Sequence, residues 1–190
     1  TPSVEVRVYL KKIYSVSITW RAVARRVALS AIAAMAAAIL VPVNHTTASA
    51  QTQTSTVVLS PADTFLNLNS GNYYSAATIA TYTWPDYAVA NAIVMKFDLS
   101  AIPPGATIES ANLTISLVEA DGRSGATYTI AAHKVIGQNP DLTTATGFVS
   151  GLGSPWTPSS CCYSNVPLAQ SNISAPYASV PVDKTLGEKT

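Results

Sequence analysis

Apolar and polar side chains alternate in several short runs beyond residue 55, the period-two pattern of strands with one buried face. Thr56–Ser60 opens the series and Thr78–Thr83 continues it. Ala92–Leu99 sets Ile93, Met95, Phe97 and Leu99 on one side, with Lys96 and Asp98 on the other. Ile108–Val118 turns Ala111, Leu113, Ile115 and Leu117 inward and Asn112, Thr114 and Ser116 outward. Thr127–Ile136, with Tyr128, Ile130 and Ala132 as its buried side, and Tyr177–Val182 complete the predicted strands. Turn residues punctuate them at 69–72, 103–105 and 121–122. Strands at this spacing predict an all-β fold, an antiparallel, jelly-roll-like β-sandwich. A domain of this length buries roughly two-thirds of its unfolded surface, enough for an independent core.

The first fifty residues follow a different pattern. Arg21, Arg25 and Arg26 precede an uncharged run, Val27–Val43, and Ala48-Ser49-Ala50 follows it. A positive segment, an apolar segment and small residues at a cleavage point are the parts of a secretory signal peptide, whose helix is expected to be removed after Ala50. A permanent anchor is the alternative, but the run of 17 residues is short against the roughly 20 a span requires. After cleavage no stable membrane insertion is expected, and the protein is placed outside the cell or on its surface. Upstream, Ser3–Trp20 alternates weakly like a strand and is set aside as an extension of the leader. The domain reading is therefore 1–50 extension and signal peptide, 51–55 flexible Thr/Gln linker, and 56–190 sandwich, with its closing strands expected beyond Thr190. Gly147–Pro181 carries five prolines and little periodicity, a stretch longer than ordinary connections.

Charge sharpens the picture. The net charge is +1, but residues 1–50 hold six of the eleven bases and one of the ten acids. Residues 51–190 therefore carry five bases and nine acids, a net of −4. Nucleic-acid binding requires a basic stripe on the folded part, so that class is excluded. Two cysteines and two histidines make a zinc site unexpected. Adjacent Cys161 and Cys162 leave three states open: a vicinal disulfide, free thiols, or metal coordination with outside partners.

Catalysis finds no support in the residue pattern. No carboxylate spacing singles out a glycosidase pair, and His133 has no Gly-x-Ser-x-Gly elbow to serve. Sugar binding is the alternative chemistry, since aromatic faces cover the C–H faces of sugar rings while polar groups bond the hydroxyls. Among Tyr73, Tyr74, Tyr82, Trp84, Tyr87, Trp156 and Tyr163, the segment Tyr82–Tyr87 concentrates three aromatics in six residues. Tyr82, Trp84, Tyr87 and Trp156 are the candidate stacking residues, and Arg123 could grip a carboxylate. The net of −4 nevertheless favours a neutral glycan. Asp63 and Thr64 are the candidate ligands of a structural calcium ion, which takes six to eight oxygens. The bland alternative is a turn-capping Asp63.

The run Met95-Lys-Phe-Asp-Leu-Ser-Ala-Ile-Pro-Pro-Gly-Ala-Thr-Ile108, followed by Ser110-Ala-Asn-Leu113, explains itself as scaffold. Pro103 and Pro104 cannot donate to a ladder and so follow a strand end. Gly105 supplies the turn, and β-branched Thr107 and Ile108 re-enter a strand. This run resembles the central signature of the DNRLRE domain, which overlaps the carbohydrate-binding modules of family ninety-six. Leu59-Ser-Pro-Ala-Asp-Thr-Phe65 is similar to that family's opening, and Trp156-Thr-Pro158 to a later element. The resemblance spans residues 56–190 and implies a jelly-roll-like sandwich on secreted or surface proteins, often beside polysaccharide-degrading enzymes. The expected function is a noncatalytic module whose partner is a polysaccharide. The alternatives are a structural or adhesive spacer, or an accessory domain of an enzyme whose catalytic part lies beyond residue 190.

Overall fold

The computed structural model describes residues 6–24, 51–84, 88–121, 125 and 127–190. Its strands are β1 (Val6–Ala24), β2 (Gln51–Leu59), β3 (Ala62–Asn67), β4 (Thr78–Thr83), β5 (Asn91–Lys96) and β6 (Thr107–Ala120). They continue with β7 (Tyr128–Ala132), β8 (Val149–Gly151), β9 (Ser154–Pro155), β10 (Ala178–Val182) and β11 (Gly187–Lys189). Every strand pair is antiparallel, as the alternating pattern predicts.

The largest sheet runs β11-β6-β1-β2, with β4 pairing to β1 as well. Long β1 thus lies along β6 on one edge, while its other edge is shared by β4 near Val6–Lys11 and by β2 near Val16–Ala24. This corrects two sequence expectations. Residues 6–20, set aside as a leader extension, hold the centre of the sheet, and the supposed linker 51–55 is the first half of β2. Hydrogen bonding along both edges of β1 outweighs the weakness of its own alternation, which Lys11 and Lys12 interrupt. Val16, Ile18 and Trp20 are buried on one side of β1 and gather Val57, Leu59, Phe97, Ile102 and Leu113 around them. Arg21, mostly exposed, pairs with Glu109 of β6. The leader helix expected over 27–43 lies outside the described residues, as do Tyr87 and Arg123. Among the described residues no helix is long and apolar enough to cross a membrane.

A second layer faces this sheet, built from the pairs β3–β5 and β7–β10. Ile79 of β4, Ile115 and Leu117 of β6 and Val182 of β10 are buried together, with Phe65, Ile93, Met95, Tyr128 and Ile130 packed on them. Ile115 and Leu117 therefore face inward as the alternation predicts. Ala111 and Ile108, nearer the start of β6, are exposed. Leu99, placed on the apolar face of its run, lies past the end of β5 and is 52% exposed.

The proline-rich stretch forms a third stratum. Leu142, Ala145, Trp156, Cys162, Val166, Leu168 and Ala169 pack with Leu66 of β3 and Val94 of β5. β5 is consequently apolar on both faces, Val94 outward to this cluster and Ile93 and Met95 toward the main sheet. Gly147 makes the docking possible, since a Cβ there would collide with the carbonyl oxygen of Asn67 and with Val166. Gly105 has φ +77°, the left-handed turn conformation expected after Pro103-Pro104. Cys161 and Cys162 are joined as a vicinal disulfide, the first of the three states the sequence left open.

Candidate functional site

An open groove of about 350 Å³ is lined by Ala62, Tyr74, Lys96, Asn139, Pro140, Asp141, Leu142 and Thr143. Antiparallel register sets Lys96, the last residue of β5, opposite Ala62, the first of β3. The ammonium of Lys96 donates to Asn139 Oδ1 at 3.1 Å. Asp141 is fixed by a local turn: its Oδ1 accepts from Thr143 N at 3.0 Å and from Thr143 Oγ1 at 2.7 Å. Its Oδ2 accepts from Thr144 Oγ1 at 3.0 Å. These bonds from Thr143 and Thr144, with a smaller contribution from the Lys96 charge, hold the Asp141 carboxyl below its ordinary value.

Asn72 joins the two walls. Its Nδ2 donates to Leu142 O at 2.9 Å and Ala145 O at 2.7 Å, while its Oδ1 accepts from Tyr74 N at 3.1 Å. One amide thus ties the backbone of the aromatic residue to the turn that carries the carboxylate. The Tyr74 residue is 38% exposed. An aromatic ring, an amide, a cation and a carboxylate along one concavity offer a face for apolar C–H surface and fixed donors and acceptors for hydroxyls.

The sequence-predicted residues are dispersed instead. Trp156 is 1% exposed, and its Nε1 donates to Thr146 O at 2.8 Å. Its place is the core, where a large apolar ring gains most by burial, so it is withdrawn as a stacking residue. Tyr82 is half-buried in β4, and its hydroxyl donates to Asn67 Oδ1 at 2.6 Å. Trp84 follows the strand, half-buried, with its backbone N–H donating to Ala88 O at 2.7 Å. Asp63 and Thr64 are 5% and 0% exposed in β3. Successive strand side chains point to opposite faces, so these two cannot direct their side chains at one ion. No three His, Cys, Asp or Glu side chains gather as a metal site among the described residues. The calcium expectation is corrected accordingly.

Of the groove residues, only Tyr74 figures among the sequence's aromatic candidates. The local signal was present in Asp141-Leu-Thr-Thr144, a turn-forming run that fixes a carboxylate. The assembly of four separate segments was not visible.

A second concavity, of about 310 Å³, lies between β4–β5 and β7 and includes Tyr82 in its wall. It shares no lining residue with the groove. No protein-family model matches the chain, and no curated protein or solved structure matches it either.

Proposed function

We propose that the chain is a noncatalytic, extracellular β-sandwich module that binds a neutral polysaccharide in the groove beside Tyr74. The observation that carries this reading is the convergence of the half-exposed Tyr74 with Lys96, Asn139 and a pre-fixed Asp141 on one open surface. Sugar recognition takes an aromatic face together with polar groups held in place before binding. The groove pairs one cation with one carboxylate, which suits uncharged hydroxyls better than an acidic polymer. The resemblance of residues 56–190 to the DNRLRE domain and the leader-like run at 27–43 point the same way, toward a secreted or surface-bound carbohydrate-binding module.

Retention on insoluble cellulose, xylan and chitin tests the reading, with Tyr74→Ala and Asp141→Asn run beside the parent. Retention of the parent on at least one polymer, with loss of about tenfold or more in both variants, is the expected result. A parent retained on none, or variants that match it, overturns glycan binding at this groove and leaves the spacer reading in its place.

A further inference from the structure

The edge of a sheet exposes unpaired N–H and C=O groups, and folded proteins protect it with charge, proline, bulges or short strands. The main sheet ends in β11 on one side and β2 on the other. β11 is protected: it is three residues long, contains Glu188 and Lys189, and Lys189 pairs with Asp183 at 3.6 Å. β2 has none of these devices. It runs for nine residues without glycine or proline, and its register with β1 continues over that length without a shift. No Asp, Glu, Lys, Arg or His stands anywhere from Gln51 to Ala62. Among the described residues no strand pairs with the outer edge of β2.

Register fixes which side chains border that edge. Thr54, Thr56 and Val58 stand opposite Arg21, Thr19 and Ser17, on the face of the sheet turned away from buried Ile18 and Trp20. Thr52, Thr54, Thr56 and Val58 are all exposed on that face, Val58 to 65%. Four β-branched side chains at alternate positions suit packing against a neighbouring strand. So neutral an edge offers a charged foreign strand no complementary partner. A second copy of the same edge brings no like charges together and presents the same unpaired backbone groups.

We propose that β2 is a dimerisation edge, at which two copies of the chain pair their β2 strands antiparallel about a two-fold axis near Ser55. That axis sets Thr54 of one copy opposite Thr56 of the other and Thr52 opposite Val58, so Val58 is covered by cross-strand contact. The two main sheets join into one, whose ends are the two charged β11 strands. Pairing about a two-fold axis is closed, so assembly stops at two copies. A strand of nine residues is about 30 Å long, and a single edge of that length buries less than the roughly 1,200 Å² of a standard interface. The dimer is therefore reversible, with a dissociation constant on the order of 100 µM. No residue lining the groove beside Tyr74 belongs to β2, so this surface is separate from the proposed glycan site.

Sedimentation equilibrium of the full chain, from about 5 µM to about 1 mM, tests the proposal. The weight-average mass is expected to rise from one copy toward two. Thr56→Lys, which adds an edge charge, is expected to weaken association about tenfold or more. Thr54→Lys is expected to do the same and serves if Thr56→Lys fails to fold, with urea unfolding as the check on both. Ser110→Lys, on β6 away from the edge, is expected to leave association unchanged. Tyr74→Ala is also expected to leave it unchanged, which separates this surface from the glycan reading. A parent that stays monomeric throughout, growth beyond two copies, or undiminished association in the folded Thr54 and Thr56 variants overturns the proposal. Equal weakening by Ser110→Lys overturns it as well.

Discussion

The indole nitrogen of Trp156 donates its proton to the backbone carbonyl of Thr146 at 2.8 Å, inside the cluster that also holds Leu66, Val94 and Leu168. The ring therefore fastens an otherwise irregular segment to the β3–β5 pair. Trp156→Phe keeps most of the apolar contact but leaves that carbonyl unpaired, so a loss of about 1–3 kcal/mol is expected in urea unfolding. An unchanged midpoint and slope would show that the bond contributes nothing.

Gly147 offers a complementary test by addition instead of removal. Its α-carbon lies against the Asn67 carbonyl oxygen and Val166, and its own carbonyl accepts from Leu168 N at 3.0 Å. Gly147→Ala is expected to cost about 1–3 kcal/mol through overpacking. The same substitution at Gly71, where the close neighbours are the side chains of Asn69 and Tyr73, is expected to be milder. Equal costs at both positions would contradict the close backbone approach.

Acid should weaken the turn that bears Asp141. Hydrogen bonds from Thr143 and Thr144 lower this carboxyl in the folded state. Its contribution to stability is accordingly complete above the ordinary value of 3.8 and fades as pH falls through the lower folded value. NMR titration of the Asp141 carboxyl should give a midpoint below 3.8, and Thr143→Val should move it upward. A midpoint at or above the ordinary value refutes the arrangement.

Strand β1 makes a plain stability prediction. Ile18 is 6% exposed between Trp20 and the apolar side chains of β2 and β6. Ile18→Ala is expected to destabilise the full chain by about 2–4 kcal/mol. Thermal and urea unfolding indistinguishable from the parent would mean that Val6–Ala24 is not built into the sheet.

Strands with one wet face were legible from the chain alone, because burial on a single side leaves the period-two trace: β4, β7 and β10 lie within the predicted runs, and β6 contains its run, Ile108–Val118, and extends past both ends of it. Where burial is not one-sided the trace fails. β5 packs Val94 on one face and Ile93 and Met95 on the other, so the polar side assigned to its run is a surface at Lys96 and Asp98 but is buried at Val94. The Leu142–Ala169 cluster owes its order to docking, not to periodicity, and Trp156 looks the same in sequence whether stacked on a ligand or sunk in a core. The groove was illegible for a different reason. Ala62, Tyr74, Lys96 and Asn139–Thr143 come from four stretches joined only by strand register and by Asn72, and no spacing rule connects them.

The register of the long central strand has a further consequence. Ala24 lies directly opposite Gln51, at the end of the paired register of β1 and β2. Scission anywhere between them, including the leader cut expected after Ala50, would leave β1 as a separate peptide gripped only by its neighbours. Its retention would then become a bimolecular equilibrium, falling on dilution and open to exchange with any other extended segment of suitable alternation.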